Sequence, residues 1–232
     1  MTQRKTGIQP IFIARYLKDK NFRVRLSLYA GTCINLASSI FHLLACLFYS
    51  SIWFGAVAVY YIILTIIRFL LIRSVRFVSI MEIKDDKYIH EIRRYRDTGI
   101  LLFGLNLAMI SVIVQIIWQN KGYHYPGLVI YASAVYAFYS LTLAIINMVK
   151  YRKMDEPVFS AAKMLSFSAA LMSILTLQTA MISRFGEDDS FRQIMNVTTG
   201  TIVSALVFIM AAYMIVRANQ ALKNHYTIVD NQ

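Results

Sequence analysis

The stretch Leu26–Ile67, LSLYAGTCINLASSIFHLLACLFYSSIWFGAVAVYYIILTII, contains no charged residue. As one helix at 1.5 Å per residue it would run about 63 Å, roughly twice the ~30 Å hydrocarbon core of a bilayer. It must therefore fold back on itself. The small polar break Tyr49-Ser50-Ser51 is the predicted turn, with spans near 27–48 and 53–72 on either side.

Outward from this hairpin, further apolar runs lie between charges. One runs from Gly99 to Asn120 before Lys121, and a fourth follows Pro126 and ends at Lys150. A fifth begins near Pro157, a residue suited to the first turn of a helix, and a sixth ends at Val216 before Arg217. The reading is an all-α, polytopic membrane protein, a six-transmembrane-helix bundle. Its spans lie near 27–48, 53–72, 98–120, 126–149, 158–183 and 195–216, each close to the ~20 residues a crossing needs. They make up a transmembrane domain over 26–220. A basic arm over 1–25 precedes it, and a short tail over 221–232 follows.

Composition agrees. Of the 232 residues 58% are hydrophobic and 16% charged, and the mean hydropathy is +0.54. These values exclude a disordered chain, a disulfide-rich secreted module and an ordinary soluble enzyme. Cys33 and Cys46 would stand about 20 Å apart along one helix, too far to bridge. The net charge of +12 is a topology signal and not a nucleic-acid footprint, because the basic residues punctuate apolar runs. Nineteen of the 24 Lys and Arg fall on one side: the N-terminal arm, the 73–97 connection, the 150–155 connection and the C-terminal tail. The other side holds Lys121, Arg184 and Arg192. The positive-inside rule then predicts a multi-pass protein of the plasma (inner) membrane with both termini cytoplasmic.

The N-terminal arm lacks the cleavage pattern of a signal peptide. Ile11, Phe12, Ile13, Tyr16 and Leu17, set among Arg15 and Lys18, predict a short interfacial helix. Both this arm and the 73–97 connection could meet anionic lipid head groups at the cytoplasmic face, although a solvated loop obeying the topology rule is the plainer account. A homodimer or a membrane-protein partner is the remaining expectation for partners besides the bilayer itself.

Chemistry inside the spans is sparse. No span carries an acidic residue. His42 is the main titratable group, and a lone histidine on a helix is more often a packing residue than a ligand. Arg68 could line a cavity, but its position about three-quarters along its helix favours snorkelling to the interface. Neutral polar groups are more plentiful. Asn35, His42, Tyr60, Asn106 and Gln178 are the candidates for a polar path, and the plainer reading has such groups bonding helix to helix. No phosphate-binding glycine loop, nucleophile elbow or carboxylate pair is present. The acidic trio Glu187-Asp188-Asp189 reads as a solvated outer loop. No cofactor is implied, and no enzymatic activity.

Two stretches carry a resemblance. Asn35–Ile67, NLASSIFHLLACLFYSSIWFGAVAVYYIILTII, resembles the first two helices of the cation diffusion facilitator (cation efflux) transporters. Glu156–Met181, EPVFSAAKMLSFSAALMSILTLQTAM, resembles that family's fifth helix, and the likeness extends over about residues 26–220. Trp53-Phe54-Gly55-Ala56 and Val158-Phe159-Ser160-Ala161 align at an offset of 105, and so do the positions matching the family's metal-binding pairs. Those positions are Tyr60 and Leu64 on the second helix and Leu165 and Ala169 on the fifth. The family holds a divalent metal there with Asp and His one helical turn apart on facing helices. Here three of the four side chains have no donor atom, so no metal site is implied. The inner connection offers only His90 in place of a histidine-rich tract, and no soluble C-terminal domain follows before Gln232. The resemblance implies a relative without a metal site, with its second and fifth helices packed together. The function expected is a structural or regulatory membrane protein that does not transport metal. A permease for a small polar solute or ion is the alternative, and an integral-membrane enzyme the third.

Overall fold

The computed structural model describes residues 20–50, 52–78, 84–119, 127–150, 156–185 and 189–230. Among them the chain forms six α-helices: α1 (Lys20–Tyr49), α2 (Ile52–Val78), α3 (Lys84–Gln119), α4 (Gly127–Lys150), α5 (Pro157–Phe185) and α6 (Asp189–Asp230). Four are long and apolar enough to cross a membrane, over Leu26–Tyr49, Ile52–Phe77, Pro157–Ile182 and Ser190–Thr227, while α4 carries the shorter apolar stretch Ile130–Ile146. The expected interfacial helix near residues 11–17 lies outside the described residues.

The helices run past the apolar spans. α1 starts within the basic stretch, α2 continues through Arg73 and Arg76, and α3 begins at Lys84, so most of the 73–97 connection is helical. α6 likewise continues through residues 217–230. A helix satisfies its backbone hydrogen bonds as well in water as in lipid, so leaving the apolar region does not end it. The chain reverses between α1 and α2 at Ser50, whose φ of 47° is left-handed. At the start of α5, Pro157 takes the first helical position, where a missing N–H costs nothing, and the Ser160 N–H donates to the Glu156 carbonyl at 3.0 Å.

α5 is the centre of the bundle. It packs against all five other helices, and 67% of its apolar window is buried inside the protein, against 28% for α1. Its sequence explains this. Ala161, Ala162, Ser168, Ala169, Ala170, Ser173 and Ala180 are buried, and such small residues let neighbouring backbones approach closely where lipid supplies no hydrophobic drive between helices. α1 pairs chiefly with α2, α4 with α5, and α3 with α6. The α3–α6 pair closes on Gly99, where a Cβ would lie 3.0 Å from Met214 Cβ and 3.3 Å from the Ala211 carbonyl oxygen. Leu64, Leu102, Leu165 and Met214 fill the interior. Large apolar side chains such as Phe48, Tyr131, Val135 and Ile209 face outward. An exterior this apolar suits lipid and not water.

Tyrosines join the helices near their ends. Arg76 Nε donates to the Tyr29 hydroxyl at 3.1 Å, and Arg93 Nη2 to the Tyr226 hydroxyl at 2.8 Å.

Candidate functional site

α1 and α4 have no close backbone contact with each other, although both pack against α5. The crevice between them has two lobes. The lobe toward the basic helix ends has a volume of about 220 Å³ and is lined by Gly31, Asn35, Arg68, Ser140 and Ser166 among others. The second, of about 310 Å³, is lined by Ala37, Phe41, His42, Ala132 and Thr176 among others. Ile34, Tyr136 and Tyr139 line both, so the two lobes adjoin, with the Tyr136 ring, which reaches Ser38 of α1, standing between them.

Arg68 corrects the sequence reading. It does not snorkel outward: it is 2% exposed. Its Nη2 donates to Ser166 Oγ at 2.8 Å, and that hydroxyl donates onward to the Ala162 carbonyl at 3.0 Å. The guanidinium fills the notch that Gly31 leaves on α1, where a Cβ would collide with Nη1 and stand 2.6 Å from Cζ. Nε is buried without a hydrogen-bond partner. Ion pairs among the described residues join Arg94 and Arg96 to Asp97, and none involves Arg68. The sequence has no Asp or Glu between Asp19 and Glu82, none between Asp97 and Asp155, and none between Glu156 and Glu187. The helices forming the cleft therefore bury a permanent positive charge and bring no carboxylate to it. An arginine cannot escape that cost by giving up its proton.

Two neighbours share this incompleteness. Asn35 is 1% exposed and its Nδ2 has no partner. His42 Nδ1 lies 2.7 Å from the Ser38 carbonyl oxygen. A carbonyl only accepts, so Nδ1 carries the proton and the neutral ring keeps its lone pair on Nε2, which is buried and unpartnered. The imidazole stacks on Tyr61 with centroids 5.5 Å apart, and Tyr61 meets Tyr136 edge-on at 6.2 Å. The result is an aromatic wall behind the cleft. Each of Asn35, His42 and Arg68 is a strong polar group lining the cleft with a buried nitrogen left over, and buried polar groups are normally satisfied.

The five residues of the predicted polar path are not brought together. Asn35 and His42 line the cleft. Tyr60 instead lies in the α2–α5 contact, its hydroxyl 2.6 Å from Ser168 Oγ. Asn106 Nδ2 donates to the Ser204 carbonyl at 3.0 Å and so joins α3 to α6. Gln178 Nε2 lies 3.4 Å from the Met195 carbonyl oxygen and joins α5 to α6. Sequence reasoning set the cavity-lining reading of Arg68 second to snorkelling and missed Ser166 and Gly31 as its partners. The available signal was Arg68 itself, the single charged residue between Arg25 and Arg73.

The four positions matching the cation-efflux metal pairs are buried in one core. Leu64 and Leu165 are fully enclosed, Tyr60 is bonded to Ser168, and the Ala169 carbonyl accepts from the Tyr61 hydroxyl at 3.2 Å. α2 and α5 do pack together, through apolar and hydroxyl contacts. Among the described residues no three His, Cys, Asp or Glu side chains gather as a metal site would require. The sequence matches no known family model, and no curated protein shows significant similarity to it.

Proposed function

We propose that the chain is a six-span protein of the plasma (inner) membrane, with both termini cytoplasmic, that binds an organic anion in the α1–α4 cleft as a permease does. The single observation behind this reading is Arg68: buried, fixed by Ser166 and Gly31, and supplied with no carboxylate by the helices that line the cleft. An anion seated there supplies the missing countercharge, and an arginine fork matches a carboxylate or phosphate with two parallel hydrogen bonds. Asn35 Nδ2 adds a further donor. The same lack of carboxylates disfavours cation or proton coupling in this cleft.

The test is thermal unfolding of the purified protein in neutral detergent. A graded series of carboxylates and phosphates is titrated at constant ionic strength against chloride. A ligand that binds only the folded state stabilises it by RT ln(1 + [L]/Kd), about 2.7 kcal/mol at a hundred times Kd. Stabilisation by at least one anion, absent in Arg68→Gln, is the expected outcome. Equal behaviour of both proteins across the series would overturn the proposal.

A second reading, a structural or regulatory membrane subunit, draws on Asn106, Gln178 and Tyr60, whose polar atoms all bond between helices. The cation-efflux-like ancestry belongs to the same reading. Its support is the helix count and the α2–α5 packing.

A further inference from the structure

Resting on that anion-binding reading, we infer that the occupant of the cleft is a single-chain amphiphile with an anionic head, taken from the surrounding leaflet.

The two lobes differ in chemistry along the membrane normal. Arg68, Asn35 and Ser166 belong to the lobe nearer the basic helix ends. Arg68 is sixteen residues into α2, about 24 Å from its beginning at Ile52, and shares its end of the helix with Arg73 and Arg76. The other lobe continues along α1 from Ile34 to Phe41, about 10 Å further toward the turn. Most of its open wall is apolar, from Ala37, Phe41, Ala132 and the rings of Tyr136 and Tyr139, with His42 and the hydroxyls of Ser38 and Thr176 at its inner side. A small hydrophilic anion would use the first lobe and leave the second, larger one unfilled. A chain of methylenes fills it. Head toward the basic ends and chain toward the bilayer middle is also how a lipid of that leaflet lies, so the occupant need not turn over to bind.

The route of access is sideways. Phe41 is 37% and Tyr139 53% exposed on the outer surface, where acyl chains lie. α1 and α4 flank the cleft without close backbone contact and meet there through the Tyr136 side chain, which reaches Ser38. Admitting a chain therefore moves one ring and separates no packed helix pair. Together the lobes fall within the ~300–1,000 Å³ of ordinary ligand sites. That is room for one chain, too little for a whole two-chain phospholipid.

The experiment uses the full chain in phosphatidylcholine nanodiscs and radiolabelled myristate, measured as label retained beyond that of empty discs. Saturable retention is expected, reduced about tenfold or more in Arg68→Gln, the scale of a lost charge-assisted hydrogen bond. Competition on the unaltered protein needs no variant to fold. Unlabelled myristate or tetradecyl phosphate displaces the label, and the stronger of the two identifies a carboxylate or a phosphate head. Acetate, a head without a chain, and methyl myristate, a chain without charge, each need about a hundredfold higher concentration. Displacement by acetate as readily as by myristate would overturn the amphiphile while leaving anion binding intact. Displacement by methyl myristate as readily as by myristate, with Arg68→Gln unaffected, would overturn both.

Discussion

Gly31 of α1 and Arg68 of α2 are interlocked: the guanidinium occupies the space where any other residue at position 31 would place its Cβ. The α1–α2 interface and the candidate anion site are therefore one feature. The glycine acts here through size alone, since it is helical and its backbone geometry is ordinary.

Gly31→Ala is accordingly expected to push Arg68 off Ser166 Oγ. The guanidinium is the movable end of a flexible side chain, so the cost is chiefly the lost hydrogen bond to Ser166, about 1.5–3 kcal/mol for a charged donor. It is offset by the ~1 kcal/mol that alanine gains over glycine in a helix; thermal unfolding in detergent reads the balance. Anion-dependent stabilisation should fall with it. A Gly31→Ala protein that unfolds and responds to anions like the wild type would show that Arg68 does not need the notch.

Tyr60→Phe and Ser168→Ala each remove half of the 2.6 Å contact between α2 and α5. Inter-helix hydrogen bonds in membranes contribute about 0.6 kcal/mol on average, up to ~1.7. A double-mutant cycle should give a coupling in that range. Anion binding is expected to survive both changes, because neither residue lines the cleft. Zero coupling would mean the two hydroxyls are bonded elsewhere.

Reporter fusions decide the topology. A reporter active only in the cytoplasm should give signal at both termini and after residue 153. The same reporter inserted between Tyr49 and Ile52 should stay silent. Signal at one terminus only would require an odd number of crossings.

Outside the apolar region, burial raises the Glu91 carboxyl above the usual carboxylate range; Lys87 lowers it and Glu156 raises it. A raised acid binds more protons folded than unfolded, so its contribution to stability declines as pH rises from the ordinary carboxylate range through its folded value. Glu91→Gln should therefore be more stable than wild type at neutral pH, with the difference closing below that range. Unfolding curves at pH 7 and pH 4 make the comparison, and a Glu91→Gln protein less stable at pH 7 would reverse the sign.

Helix existence was legible in the charge gaps, because charge is what a bilayer excludes. Helix length was not, since Arg73, Arg76, Lys84 and Arg217 mark where an uncharged run stops and not where backbone hydrogen bonding does. The small residues of α5 are visible in the sequence, but their placing of α5 at the centre depends on which helices face them. Arg68 shows the same limit. Its charge was legible and its direction was not, because whether a long cation snorkels or turns inward is decided by the space across from it. That space is Gly31, on another helix and 37 positions away.

The left-handed Ser50 also bears on how the protein is made. Only Ser50 and Ser51 separate α1 from α2. Neither helix offers a charged loop at that end, while Arg73 and Arg76 lie at the far end of α2. During synthesis the two helices can enter the bilayer as one wedge, tip first. Gly31 and Arg68 both belong to that hairpin, so their contact needs neither α5 nor Ser166 to form.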